Sequence, residues 1–217
     1  MGKIAMVAMT VEDARRGLEA MARVLEAHRD TLTELDGAIG DGDHGINMAR
    51  GFHRAAEKLR EIPYAAPGTL FRDLAMALMA SVGGASGPLY GTFFLKMSAK
   101  LTAPSIDAGA FAEALEEGLR GVQTLGQALP GDKTMVDALS PAVQALRRAT
   151  TAGDPLCSAL EKAVEAARRG MEATVPLVAR RGRASYLGER SAGHQDPGAT
   201  SAWLLLGALR DGLREKA

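Results

Sequence analysis

Cysteine is almost missing from this sequence. Cys157 is the sole thiol in 217 residues, which excludes an internal disulfide and a thiolate metal site and suits a reducing compartment. Aromatic residues are scarce too, at 4% against 47% hydrophobic overall, so the core has to be aliphatic, mostly Ala, Leu, Val and Met. Neither sign of charge is in excess: Lys+Arg and Asp+Glu are both 26. That balance argues against a nucleic-acid or membrane-surface footprint. No apolar run, Ala202 to Leu209 included, approaches the roughly 20 residues of a membrane-spanning helix. Residues 1–10 hold one Lys and no apolar stretch of signal-peptide length. The expectation is a soluble, cytoplasmic protein in which residues 1–217 form a single domain large enough to bury a real core.

Alternating strand patterns are also lacking. Apolar residues recur instead at helical spacing. Thr10 and Asp13 form a capping-box-like pair ahead of a stripe of Ala14, Leu18, Met21, Leu25, Leu32 and Leu35, predicting one helix to about Leu35. Further helices are predicted from Gly45–Asn47 to Leu59, Leu70 to Val82, Leu89 to Leu101, Asp107 to Gln127, and from Met135 through Leu146 with a bend at Pro141. Asp154-Pro155 and Asp196-Pro197 read as caps followed by proline at the first helical position, opening the last two. The helix from Leu89 is apolar on most faces and is expected to be central. The fold class is all-α: eight helices in an antiparallel bundle.

What is abundant is glycine, 25 residues, concentrated in a few loops. The richest is Asp36-Gly-Ala-Ile-Gly-Asp-Gly-Asp-His-Gly-Ile-Asn47. Asp36, Asp41 and Asp43 do not align on a straight helix, but glycines allow tight turns that can aim them at one point. Clustered carboxylates with no Lys or Arg in the run repel one another. A hard divalent cation relieves that repulsion, and oxygen ligands favour magnesium or calcium over zinc. Asp36 also sits at the end of a helix, where the dipole disfavours an anion. An EF-hand is excluded, because the twelfth residue from Asp36 or Asp41 is Asn47 or Phe52. Gly83-Gly-Ala-Ser-Gly leads into a helix start and suits phosphate oxygens, yet no P-loop Lys-Ser or Lys-Thr follows it. Ser86 has no His/Asp pair at a recognisable spacing for a serine hydrolase.

In an antiparallel bundle the connections after the first, third, fifth and seventh helices emerge at one end. Those connections are the four unusual loops, Asp36–Asn47, Gly83–Gly91, Gly126–Met135 and Arg183–Gly198. Carboxylates for magnesium, a backbone nest and Arg183 or Arg190 make up a phosphoryl-transfer site, where the protein mainly positions groups and neutralises charge.

Gly40–Met48, Gly83–Gly91, Pro130–Met135, Gly182–Arg190 and Gly193–Ser201 together resemble the L subunit of dihydroxyacetone kinase, in the same order and over nearly the whole chain. The resemblance implies an eight-helix antiparallel barrel with the nucleotide site at one end, holding ADP/ATP and two Mg2+ ions. It implies Asp36, Asp41 and Asp43 as metal ligands. It implies His44, Gly45, Ile46, Asn47, Ala85, Ser86, Gly126, Met135, Arg183, Asp196, Pro197 and Gly198 as nucleotide-binding positions. In the phosphotransferase-system form, bound ADP is rephosphorylated by a phosphocarrier M subunit, and the phosphoryl group passes to dihydroxyacetone on a K subunit. The absence of a K-like domain from this chain favours that form, and a homodimer is compatible with it. The alternatives are an ATP-exchanging kinase subunit for another short keto-sugar, and an ADP-loaded regulatory module controlling a transcription factor.

Overall fold

The computed structural model describes residues 8–214. The helical body begins as its sequence suggests: Thr10 Oγ1 accepts the Asp13 N–H at 3.4 Å, and the Asp13 carboxylate accepts the Thr10 N–H at 2.8 Å. The single helix expected to Leu35 is, however, two: α1 (Val11–Ala27) and α2 (Arg29–Ile39). His28 breaks it, with φ −106° and ψ 12°. The bonding nearly carries across, since the His28 N–H reaches the Val24 carbonyl at 3.0 Å and the Leu32 N–H reaches the His28 carbonyl at 2.9 Å. Periodicity therefore does not register the kink.

The remaining elements are α3 (His44–Leu59), α4 (Pro67–Ser81), α5 (Ser86–Ser98), α6 (Ala108–Gly126), α7 (Met135–Thr151), α8 (Leu156–Glu172), a 3₁₀ segment (Arg183–Ser191) and α9 (Pro197–Arg214). Two short strands accompany the helices. β1 (Ala8–Thr10) pairs antiparallel with β2 (Ser105–Asp107), Met9 facing Ile106, and both side chains are buried. Strands this short carry no readable alternation. Asp154 does not cap α8, whose N-cap is Pro155 with no side-chain bond; its carboxylate instead pairs with Lys162. The cap at Asp196 does form, its Oδ2 accepting the Ala199 N–H at 2.6 Å. α7 runs on through Pro141.

With α2 continuing α1, the helices close a ring. α1 packs on α3, α3 on α4, and so on around to α8 on α9 and α9 back on α1. This is the eight-helix barrel in outline. The α1–α9 seam is tight, because a Cβ on Gly212 would lie 2.7 Å from Gly17 Cα. Inside the ring all five phenylalanines are buried, and Phe94 of α5 meets the rings of Phe93, Phe71 and Phe52 at 5.2, 5.7 and 6.1 Å between centroids. Such pairs each add about 0.5–1.5 kcal/mol beyond area burial. α5 is central on that face only. Leu95 points outward, as does Leu125 of α6, which is 51% exposed. No helix among the described residues is long and apolar enough to cross a membrane.

Candidate functional site

One end of the ring opens into a cleft continuous with solvent. All four unusual loops contribute to its lining, as the alternation of helix direction requires.

Asp36 stands in the last turn of α2, while Asp41 and Asp43 lie in the turn before α3, where Gly42 adopts φ +72°. One carboxylate oxygen from each lies within 4.8 Å of the others, a spacing at which a single cation can touch all three. Asp36 is less isolated than its place at a helix end suggests. Its Oδ2 accepts the N–H groups of Asp43 at 2.9 Å and His44 at 3.1 Å, so the positive end of α3 answers the negative end of α2. A counter-charge missing from the local sequence also arrives from afar: Arg183 Nη2 lies 3.1 Å from Asp41 Oδ2. Arg183 is held there because Ala184 and Leu187 of the 3₁₀ segment pack on Ile39 of α2.

His44, the first residue of α3, is buried with both ring nitrogens on hydroxyls: Nδ1 to Ser86 Oγ at 3.0 Å and Nε2 to Ser201 Oγ at 2.9 Å. Burial pushes its pKa down, against the opposing pull of Asp36 and Asp43. With both nitrogens occupied by serines, His44 is not arranged as a zinc ligand. Across the cleft α5 begins at Ser86 without a side-chain cap on its N-terminal amides, following Gly84 at φ +66°. Ala85 and Ser86 both line the cleft, as do Met135, Arg183, Asp196, Pro197 and Gly198. Burial raises the Asp196 carboxyl to about 7, partly offset by the Ala199 N–H and by Lys133.

Four residues expected at the nucleotide lie outside this lining. Gly45 is buried between α2 and α3, where a Cβ would come 2.0 Å from the Arg29 carbonyl oxygen. Ile46 is 49% exposed beside the site. Asn47 is buried behind Gly83, its Oδ1 accepting from Arg50 at 2.6 Å. Gly126 ends α6, and a Cβ there would stand 3.4 Å from Leu89, itself a lining residue. Sequence reasoning also passed over Lys133. It is 1% exposed, adopts φ +63°, and donates from Nζ to the carbonyls of Thr174 at 2.6 Å, Val175 at 3.4 Å and His194. It lies within the Pro130–Met135 run, but long-range carbonyl partners leave no local pattern.

Fold and cleft together define a class: an all-α barrel whose open end gathers acids, helix-start amides and hydroxyls suited to a polyphosphate and a hard cation. The chain belongs to the DAK2 domain family, which matches residues 38–211. It is 42% identical over 196 residues to the PEP-dependent dihydroxyacetone kinase 1, ADP-binding subunit DhaL, of Listeria innocua, covering 90% of this chain and 93% of that one. It is 42% identical over 187 residues to the corresponding ADP-binding subunit of Escherichia coli, covering 86% and 89%. The crystal structure of the C. freundii dihydroxyacetone kinase in complex with AMP-PNP and Mg2+ superposes with TM-score 0.72 at 27% identity, covering 97% of this chain and 36% of that longer one.

Proposed function

We propose that the cleft holds ADP with magnesium, and that the chain serves as the ADP-binding subunit of a phosphoenolpyruvate-dependent dihydroxyacetone kinase. The observation that carries this reading is the convergence of Asp36, Asp41 and Asp43 within 4.8 Å beside the uncapped start of α5. The acids would hold two magnesium ions, which neutralise phosphate charge when bound. Asp36 keeps its geometry through the amides of Asp43 and His44. The α5 start and the Ser86 hydroxyl offer donors to phosphate oxygens, and Arg183 is placed to exchange its contact with Asp41 for a phosphate. Asp196 to Gly198 form the opposite wall. The nucleotide supplies the phosphoryl group, received from a phosphocarrier M subunit and delivered to dihydroxyacetone on a K subunit in the cytoplasm.

The test is to purify the protein, dialyse it, denature it and assay the supernatant for ADP. Retained ADP is expected; the absence of both retained ADP and magnesium-dependent nucleotide binding would refute the reading. The AMP-PNP complex of the longer C. freundii kinase favours one second reading, exchange with free ATP. Multiple turnover with ATP and no phosphocarrier would establish it in place of the first.

A further inference from the structure

We propose that Ser201 and Tyr90 are positioning residues, acting through His44 to aim the Ser86 hydroxyl proton into the cleft at a phosphate oxygen. The inference rests on the nucleotide reading above and extends it to two side chains that the reading does not use.

The four groups form a chain. Ser86 Oγ lies 3.0 Å from His44 Nδ1, His44 Nε2 lies 2.9 Å from Ser201 Oγ, and Ser201 Oγ lies 2.7 Å from the Tyr90 hydroxyl. His44, Ser201 and Tyr90 are buried, while Ser86 is half-buried at the cleft. A neutral imidazole has one N–H and one lone pair, so the roles at its two nitrogens are coupled. With the proton on Nε2, Nδ1 must accept the only O–H of Ser86, which then shows the cleft lone pairs alone. With the proton on Nδ1, the ring donates to Ser86 Oγ, and the Ser86 proton is released to point outward. An unprotonated phosphate oxygen only accepts, so it calls for the second arrangement.

That arrangement needs Nε2 to accept, and Ser201 is the hydroxyl at that nitrogen. Ser201 has one proton and three possible acceptors, Nε2 at 2.9 Å, the Gly198 carbonyl at 3.1 Å and the Tyr90 oxygen at 2.7 Å. The Tyr90 hydroxyl lies 3.3 Å from the same carbonyl and 2.7 Å from Ser201 Oγ. By donating at this junction, Tyr90 leaves the Ser201 proton for His44. The imidazole stays neutral throughout; only the direction of the chain is chosen. The buried end of the chain thereby sets the polarity of the hydroxyl at its open end.

A double-mutant cycle in the full chain tests this, with ADP-Mg and adenosine as probes. Ser201→Ala is expected to weaken ADP-Mg roughly five- to tenfold, the worth of about one hydrogen bond. Adenosine, which has no phosphate, should be unaffected within about twofold by the same argument. In a Ser86→Ala background Ser201→Ala should cost nothing more, because its path to the ligand is gone. Tyr90→Phe should cause a smaller loss in the same direction. In the wild-type ADP-Mg complex, 15N spectra should place the His44 proton on Nδ1, a readout that needs no variant to fold. A proton on Nε2, additive losses, or equal losses for ADP and adenosine would overturn the inference. Wild-type protein that binds no ADP-Mg would instead refute the nucleotide reading, and the two failures are thereby distinguished.

Discussion

Replacing Lys133 by Met should destabilise the protein by about 1–3 kcal/mol, although the site is buried and Met is of similar length. The structure supplies the terms. Nζ serves the carbonyls of Thr174 and Val175, after α8, and of His194, just before α9. Two of these carbonyls keep a backbone donor, Thr174 from the Leu177 N–H at 3.1 Å and Val175 from the Gly193 N–H at 2.8 Å, so the His194 carbonyl carries most of the cost, about 1–3 kcal/mol for a buried acceptor left unpaired. Opposing this, the variant no longer has to bury an ammonium, a penalty of several kcal/mol that the native contacts already offset. The unbranched Met side chain leaves little cavity, so the loss reports missing donors rather than missing volume. Against a typical total of about 5–15 kcal/mol, such a loss is large. Urea unfolding followed by helical circular dichroism measures it. A stability within about 0.5 kcal/mol of wild type, at an unchanged denaturant slope, would refute the assignment of Lys133 as the tie between these segments.

Three further outcomes follow from the site. Gly45→Ala should cost at least about 1–3 kcal/mol through backbone overlap and weaken magnesium-dependent ADP binding, because Asp36 rides on α2 and Asp43 precedes α3; unaltered stability and binding would contradict the spacing role. Asp196→Asn should change the pH dependence of stability. The native carboxyl holds its proton up to about 7 when folded, against 3.8 for the unreacted group. Wild-type stability therefore falls as pH rises from about 4 through about 7, by on the order of 4 kcal/mol at most, and the Asn variant should lack that decline; parallel profiles would show that Asp196 does not titrate this way. Asp41→Ala or Asp43→Ala should abolish phosphoryl transfer and leave helical circular dichroism largely intact, and near-normal transfer would refute the metal role.

The sequence revealed the antiparallel bundle and its loop-rich end because helix parity is a counting argument, in which four glycine-rich connections at alternate turns have to meet; the barrel came from the family resemblance. The acids, too, were visible, since nothing but a ligand or bare solvent explains Asp36, Asp41 and Asp43 among glycines. What stayed hidden depends on contacts far apart in the chain. The break at His28 leaves the spacing from Leu25 to Leu32 intact and the backbone bonds nearly continuous. The Arg183–Asp41 pair joins residues on separate loops. Gly45 reads locally as loop flexibility, whereas its missing Cβ sets how closely α2 approaches α3. Ser201 looks like one more small residue in α9 until Tyr90 and His44 are brought to either side of it.

The closed ring has a consequence for synthesis. Its seam joins α1 to α9, the earliest helix to the latest, and α9 also carries the Pro197–Gly198 wall of the cleft and the Ser201 junction. A nascent chain can pair its early helices with one another as they emerge. It cannot shut the barrel or complete the cleft until α9 has left the ribosome. A ribosome-stalled chain ending before Pro197 would expose the faces of α1 and α8 that α9 covers.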